Sequence, residues 1–281
     1  MAAFSLRMKK IFSDIFLALG YWFQSWSFIS RNGLFHFFLY PILISILLSM
    51  GAVVAIRACV DFLMAYITPH IAHENLQADD VWSKISLALS DIAKYAIALV
   101  IGILSYYLFS KFRKYIVLAL MAPVMALLSA QTYTILSGRT DAFSLKQFVR
   151  DTFRGIVISF RNLLVELLIV IIIWGADLYL TIFAPPLGLL LSPVFLLLSF
   201  FVSCYFFGFS AMDYGNERNQ LSIRESIATI RKNRGIAIGN GIAFSLLFRI
   251  PFVGTSFAIV TSVVGGTLAM HEKEKRVLAD Q

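Results

Sequence analysis

The sequence is poor in charge and in cysteine, and each shortage excludes something. Only 14% of its 281 residues are charged, against about 25% in a soluble domain. With 59% hydrophobic residues and a mean hydropathy of +0.80, water is not the main solvent of this chain. The two cysteines, Cys59 and Cys204, have neither metal-site nor redox spacing and read as buried spectator thiols. The sequence offers no nucleophile–base constellation, no glycine-rich phosphate loop and no dinucleotide fingerprint. It therefore reads as neither an enzyme nor an ATP-driven machine, and no cofactor is expected.

What is present is apolar and helical. Several runs approach the roughly 20 residues needed to cross a bilayer, which makes this an all-α, multi-pass membrane protein. Residues 34–56 form one crossing. Residues 95–110 form a second, slightly short one, which the long stems of Lys94 and Lys111 extend by snorkelling. At the N-terminus, Arg7, Lys9 and Lys10 followed by IFSDIFLALGYWF imitate a signal peptide. Asp14 inside the apolar part and the lack of a small-residue cleavage site keep it in the chain. There Ile11, Phe12, Ile15, Phe16, Leu19, Trp22 and Phe23 recur at helical spacing, interrupted by Ser13, Asp14, Ala18 and Gln24, as in an interfacial amphipathic helix.

Basic residues are unevenly placed. Of 24 Lys and Arg, 3 lie at the N-terminus, 8 in 111–161, 5 in 213–234 and 3 at the C-terminus, against 3 in 57–94. The positive-inside rule puts those four blocks in the cytoplasm and 57–94, an exterior loop, outside. A pI near 9.5 then fits a lipid-facing basic belt, with no nucleic-acid partner. Three apolar stretches begin and end on one side, 115–137, 163–207 and 236–270, and each must turn back. The central one breaks at Ala184-Pro185-Pro186 and leaves about 21 residues on each side, long enough for full crossings. In the last, the first arm (236–248) reaches only about 20 Å, short of a core about 30 Å thick. Arg249-Ile250-Pro251 then breaks the helix.

Arg249 is the residue that demands explanation, because an arginine at the centre of a bilayer helix costs about 2.5–3.5 kcal/mol on insertion scales. Two arrangements lower that cost. Arg249 could be the polar tip of a half-penetrating hairpin beside an aqueous path, or it could snorkel from a deeper hairpin to the far headgroups. A second polar site is the turn SRNGLFHFFLYP, where Gly33 permits a conformation other residues avoid. The helix that follows starts with free N–H groups, a natural anion site, flanked by Arg31 and His36. The same turn could equally be interfacial, its arginine touching lipid phosphate.

Other residues carry weaker signals. HIAHE (70–74) has the order of no zinc motif and lacks a third ligand, so it reads as a solvated loop and no metal is expected. In GIAIGNG, Gly235 and Gly239 let helices approach closely, and Asn240 could touch a permeating ion. Glu166, near Arg161, is expected at the interface; the deeper Asp177 is a candidate partner for Arg249. SIRESIATIRKNRG reads as an amphipathic helix with Ser222 as N-cap, Glu225 completing a capping box, and an apolar stripe of Ile223, Ile227 and Ile230.

The spacing Phe16-x-x-x-Gly20, the turn at Gly33 and Leu39-Tyr40-Pro41 together resemble the start of the CysZ sulfate permease family, which includes the etoposide-induced-protein relatives. MAPVMALLSAQTYTILSG is similar to that family's Ala-Pro-x-x-x-Leu-Leu block, Asp213-Tyr214 to its Asp-Tyr-Pro element, and RIPFVG with VVGGTLAM to its Ile-Pro hairpin. The resemblance covers residues 16–270 in order. It implies a single helical membrane domain with two long transmembrane helices and two half-penetrating (re-entrant) hairpins, 163–207 and 236–270, often homo-oligomeric. It also implies passage of sulfate or a related oxyanion across a bacterial inner membrane toward cysteine synthesis. The chain departs from the family at Phe35-His36, where a basic pair is common, at Ser129-Ala130, where an acid is usual, and at Gly215, where a proline follows Asp-Tyr. On this reading Arg31, Asn32, Gly33, Leu34, His36 and Arg249 contact the anion. The rival reading is a non-transporting scaffold or envelope-assembly protein on the same fold.

Overall fold

The computed structural model describes residues 2–71, 81–138, 145–219, 221–250 and 253–279. Among them every regular element is a helix: α1 (Ala2–Arg31), a short 3-10 helix (Leu34–Phe38), α2 (Leu39–Ile71), α3 (Val81–Ser137), α4 (Leu145–Phe183), α5 (Pro185–Arg218), α6 (Ile223–Lys232), α7 (Arg234–Phe248) and α8 (Gly254–Ala279). Four segments are long and apolar enough to cross a membrane: Leu34–Pro69, Lys84–Ser137, Phe153–Phe183 and Pro185–Asn216. The chain is an all-α, multi-pass membrane protein, as its apolar runs predict.

Two boundaries differ from the sequence reading. Residues 115–137 do not turn back; they are the second half of one 57-residue helix, α3. Residues 57–94 are not a loop either, since α2 runs on to Ile71 and α3 begins at Val81. The physical reason is the same for both. Hydropathy marks where a chain becomes polar, whereas a helix ends only where its backbone bonding stops. Lys and Arg are good helix formers, so the basic 111–114 stretch interrupts the apolar run without interrupting the helix. The 72–80 segment, with most of HIAHE, lies outside the described residues.

The chain divides into two units, Ile46–Lys114 and Met1–Ser45 with Tyr115–Gln281. In the first, Ser105 Oγ lies 3.8 Å from Cys59 Sγ, pairing α3 with α2. Val53, Phe62, Trp82 and Tyr95 are all exposed, the outward-facing apolar surface expected where lipid is the solvent.

The second unit is built around α7. This helix of 15 residues runs antiparallel to α5, against which it is held by glycines on both sides. A Cβ placed on Gly208 would fall 1.8 Å from the Ala237 carbonyl oxygen, and one on Gly241 would fall 1.7 Å from that of Cys204. On the opposite side, a Cβ on Gly235 would meet the Ile11 carbonyl oxygen at 2.6 Å and one on Gly239 that of Ile15 at 2.5 Å, so the small-residue spacing does seat α1 as predicted. Helix α8 folds back beside α7 and antiparallel to α1, with Trp22 Nε1 donating to Thr261 Oγ1 at 3.0 Å and Lys273 Nζ to Asp14 Oδ2 at 2.6 Å.

Helix α1 buries Asp14, Ala18, Trp22, Ser25 and Ile29, while Phe12, Phe16 and Phe23 of its apolar stripe are exposed, the surface an amphipathic helix turns to lipid.

The two hairpins differ in height. Helix α4 ends at Phe183, and Ala184 starts α5 by accepting from the N–H groups of Leu187 and Gly188 at 3.0 and 2.9 Å. The predicted break at Pro185-Pro186 therefore holds. Helix α7 stops at Phe248, level with Phe200 of α5, whose ring lies 5.6 Å from the Arg249 guanidinium carbon. Helix α5 continues from Phe200 to its start at Pro185, about 22 Å further. The capping box at Ser222 and Glu225 also forms, with Ser222 N–H donating to Glu225 Oε2 at 2.8 Å and Glu225 N–H to Ser222 Oγ at 3.3 Å. Ile223, Ile227 and Ile230 pin α6 to the core.

If backbone contact seats α7, Gly241→Val should lower the thermal unfolding midpoint in detergent, with a cost of at least about 1–3 kcal/mol, typical of overpacking. Gly51→Val, where a Cβ meets nothing within 4 Å, should leave the midpoint near its starting value. Equal midpoints for the two variants would show that the close approach does not stabilise the bundle.

Candidate functional site

The Gly33 turn is formed as predicted. Gly33 adopts φ 69° and ψ 25°, the left-handed region that only glycine enters cheaply. Its carbonyl lies 3.2 Å from His36 Nδ1. The Asn32 side chain turns back on α1 and donates to the Phe28 carbonyl at 2.8 Å. Leu34 is buried, while Arg31, Phe35 and His36 are exposed. The turn is anchored on α8, because Phe38 and Trp26 both pack on Phe257, with ring centroids 4.9 and 5.3 Å apart.

That places the turn beside the first turn of α8, at the end of the bundle where Arg249 also lies. Arg249 closes α7 as its C-cap, with an exposed side chain leaning over Phe200. The predicted residues thus share one end of the bundle, yet no hydrogen bond among the described residues joins Arg249 to the turn. Nor does Arg249 pair with Asp177, whose carboxylate accepts from Ser192 Oγ at 2.7 Å near the far end of the α4–α5 hairpin. Pro251 and Phe252 lie outside the described residues.

From that end a series of buried polar groups follows α8 inward. Ser256, Ser262 and Asn240 are at most 1% exposed. Ser256 Oγ, Ser262 Oγ and Asn240 Oδ1 have no hydrogen-bond partner among the described residues, although Asn240 Nδ2 donates to the Ser262 carbonyl at 2.9 Å. Such groups are costly in a dry interior, about 1–3 kcal/mol each, so their placement needs a reason. Further along, Thr267 lies 3.3 Å from Ser129 of α3. Beyond it opens a cavity of about 250 Å³ lined by Tyr133, Asn216, Thr229, Thr267, His271 and Glu274 among others. The His271 ring stands edge-on to Tyr133, and its Nε2 is buried without a partner.

Three polar clusters escaped the sequence reading. Glu166 is buried within the bundle, 2% exposed, accepting from the Tyr115 hydroxyl and, at 2.7 Å, from Ser203 Oγ. Asp213 accepts from Arg154 Nη2 at 3.0 Å and from Ser226 Oγ, which in turn accepts from Asn216 Nδ2 at 2.8 Å. Beside it, the Tyr214 hydroxyl donates to the Leu118 carbonyl at 2.9 Å, tying α5 to α3. The Asp-Tyr pair was the visible signal for the second cluster. The cavity around His271 had none, because its lining comes from α3, α5, α6 and α8.

An apolar exterior and four helices long and apolar enough to cross a bilayer define a multi-pass membrane protein. The chain belongs to the family described as Sulfate transporter CysZ/Etoposide-induced protein 2.4, whose profile matches residues 21–258. This is a family of transporter-type membrane proteins, not of enzymes. No curated protein matches the chain.

If the Gly33 turn binds an oxyanion, Phe35→Arg, which restores a cation on its exposed rim, should tighten sulfate binding by about threefold, the effect of one exposed charge pair. Equilibrium dialysis with labelled sulfate checks this, and an unchanged affinity would remove the turn from the site.

Proposed function

We propose that this protein is a permease or channel for sulfate or a related small oxyanion in the bacterial inner membrane, feeding sulfur assimilation by passive or ion-coupled flow. The observation that carries the reading is the end of α7, where Arg249 makes no ion pair among the described residues and buried polar groups of α7 and α8 behind it have no hydrogen-bond partner among those residues. The family membership supports it.

In mechanistic terms, the basic belt concentrates anions at the surface. Arg31, Asn32, Gly33, Leu34 and His36 form a turn that receives the anion through backbone N–H groups and flanking cations. Arg249 compensates the anion's charge as it leaves water. Asn240, Ser256 and Ser262 then offer dipoles to the partly dehydrated ion, and the cavity at His271 gives it back to water. The N- and C-termini face the cytoplasm, and the working form is a homo-oligomer.

Proteoliposomes of purified protein should take up labelled sulfate, with selenate competing and chloride competing poorly. Arg249→Ala should slow that uptake about tenfold, the equivalent of some 1.4 kcal/mol at the tip, while leaving membrane assembly intact. Asn240→Leu should slow it without changing binding at the turn. Well-folded protein that moves no anion would replace the permease with the scaffold reading and leave Arg249 at the headgroups.

A further inference from the structure

A second set of cations, which the permeation reading does not use, lies where α6 meets α7. Arg231 in the last turn of α6 and Arg234 near the start of α7 flank Ile230 and Ile236 in sequence, two residues of the core patch on which Tyr205 of α5 packs, and Arg161 of α4 reaches the same patch through Phe209. The Arg161 guanidinium carbon stands 5.7 Å over the Phe209 ring, and Phe209 packs edge-on to Tyr205 with centroids 6.2 Å apart. Arg161 Nη1 is steadied by Asn162 Oδ1 at 2.8 Å. Tyr205 itself packs on a core that includes Phe209, Ile230, Ile236 and Ala237.

Among the described residues none of these arginines forms an ion pair. The ion pairs of this unit fall elsewhere, at Arg154–Asp213, Lys273–Asp14 and Arg276–Glu272, and none takes Arg161, Arg231 or Arg234. Like charges gathered around one phenol repel, and more strongly so in a half-buried setting than in water. The positive end of α7 adds to the excess, because that helix starts at Arg234 and Asn233 gives it no side-chain cap. The scaffold is also rigid: α6 is fixed by its capping box and by its isoleucine stripe. Guanidinium forks match a tetrahedral oxyanion in two-point contact, and a phenol hydroxyl can donate a further bond to it.

We propose that Arg161, Arg231, Arg234 and the Tyr205 hydroxyl form a binding site for a tetrahedral oxyanion, supplied either as free sulfate or phosphate or as the phosphate of a lipid headgroup. The site is separate from the Gly33 turn and from Arg249, and it stands whether or not the protein transports anything.

The full chain in neutral detergent is titrated with sodium sulfate, with inorganic phosphate, and separately with phosphatidic acid, following the thermal unfolding midpoint. Wild type, Arg57→Gln, Tyr205→Phe and the double variant Arg231→Gln/Arg234→Gln are compared. Stabilisation should appear with at least one probe and need about tenfold more of it in the double variant, the loss of about 1.4 kcal/mol, and about threefold more in Tyr205→Phe. Arg57→Gln, which removes an exposed cation that belongs to neither site, should match wild type, and the response lost in the double variant separates this site from the Gly33 turn and Arg249, which that variant leaves intact. A response to sulfate or phosphate alone identifies a soluble ion; a response to phosphatidic acid alone identifies a lipid; either supports the site. If no probe stabilises the wild type, or if all variants respond alike, the proposal is overturned. Should the double variant fail to fold, Tyr205→Phe, which removes only a hydroxyl, decides the matter.

Discussion

The backbones of α5 and α7 touch, and most of the architecture follows from that contact. Gly208 and Gly241 leave no room for a side chain between the two helices, and Gly235 and Gly239 do the same between α7 and α1. In lipid there is little hydrophobic drive for helices to associate, so close van der Waals packing has to supply it. A helix of 15 residues is too short to hold its position by length. Wedged on two sides, it stops at Phe248 and fixes the depth of Arg249.

Serines, threonines and an asparagine are buried in α7 and α8 beside apolar residues such as Ile236, Phe244, Ile259 and Val263, while phenylalanines and leucines cover much of the outside. In a low-dielectric interior every unsatisfied dipole is expensive, so the unpartnered oxygens of Asn240, Ser256 and Ser262 stand apart from the satisfied networks around Glu166 and Asp213. The satisfied groups hold helices together. The unsatisfied ones lie behind Arg249, and under the proposed function a partly dehydrated ion would complement them.

How much of this could be read from the sequence depended on the range of the signal. The stop at Arg249-Ile250-Pro251, the break at Pro185-Pro186, the left-handed turn at Gly33 and the capping box at Ser222 and Glu225 are each written within a few residues, and each is found in the structure. The course of α3 through 111–114 was misread because charge was taken as a boundary. The stripe of α1 marks its outward aromatics, but its buried contacts to α7 and α8 come from residues more than 200 positions away and leave no local pattern. Asp177 and Arg249 were matched by charge, but Ser192, which bonds Asp177, lies on α5 about 12 Å from the level of Phe200. Glu166, His271 and the arginines around Tyr205 depend on helices far apart in the chain, and no local pattern announces them.

The partners of α1 come from the last part of the chain. Asp14 meets Lys273 and Trp22 meets Thr261, so α1 is made well before the helix it packs against. During that interval α1 must wait at the membrane surface, and its exposed Phe12, Phe16 and Phe23 suit it to rest there among lipid headgroups. The late arrival of α7 and α8 then converts a surface-bound segment into a wall of the bundle. The bundle around α1 is thus closed only once α7 and α8 are made, and a chain that stalls before residue 254 leaves α1 without its α8 neighbour.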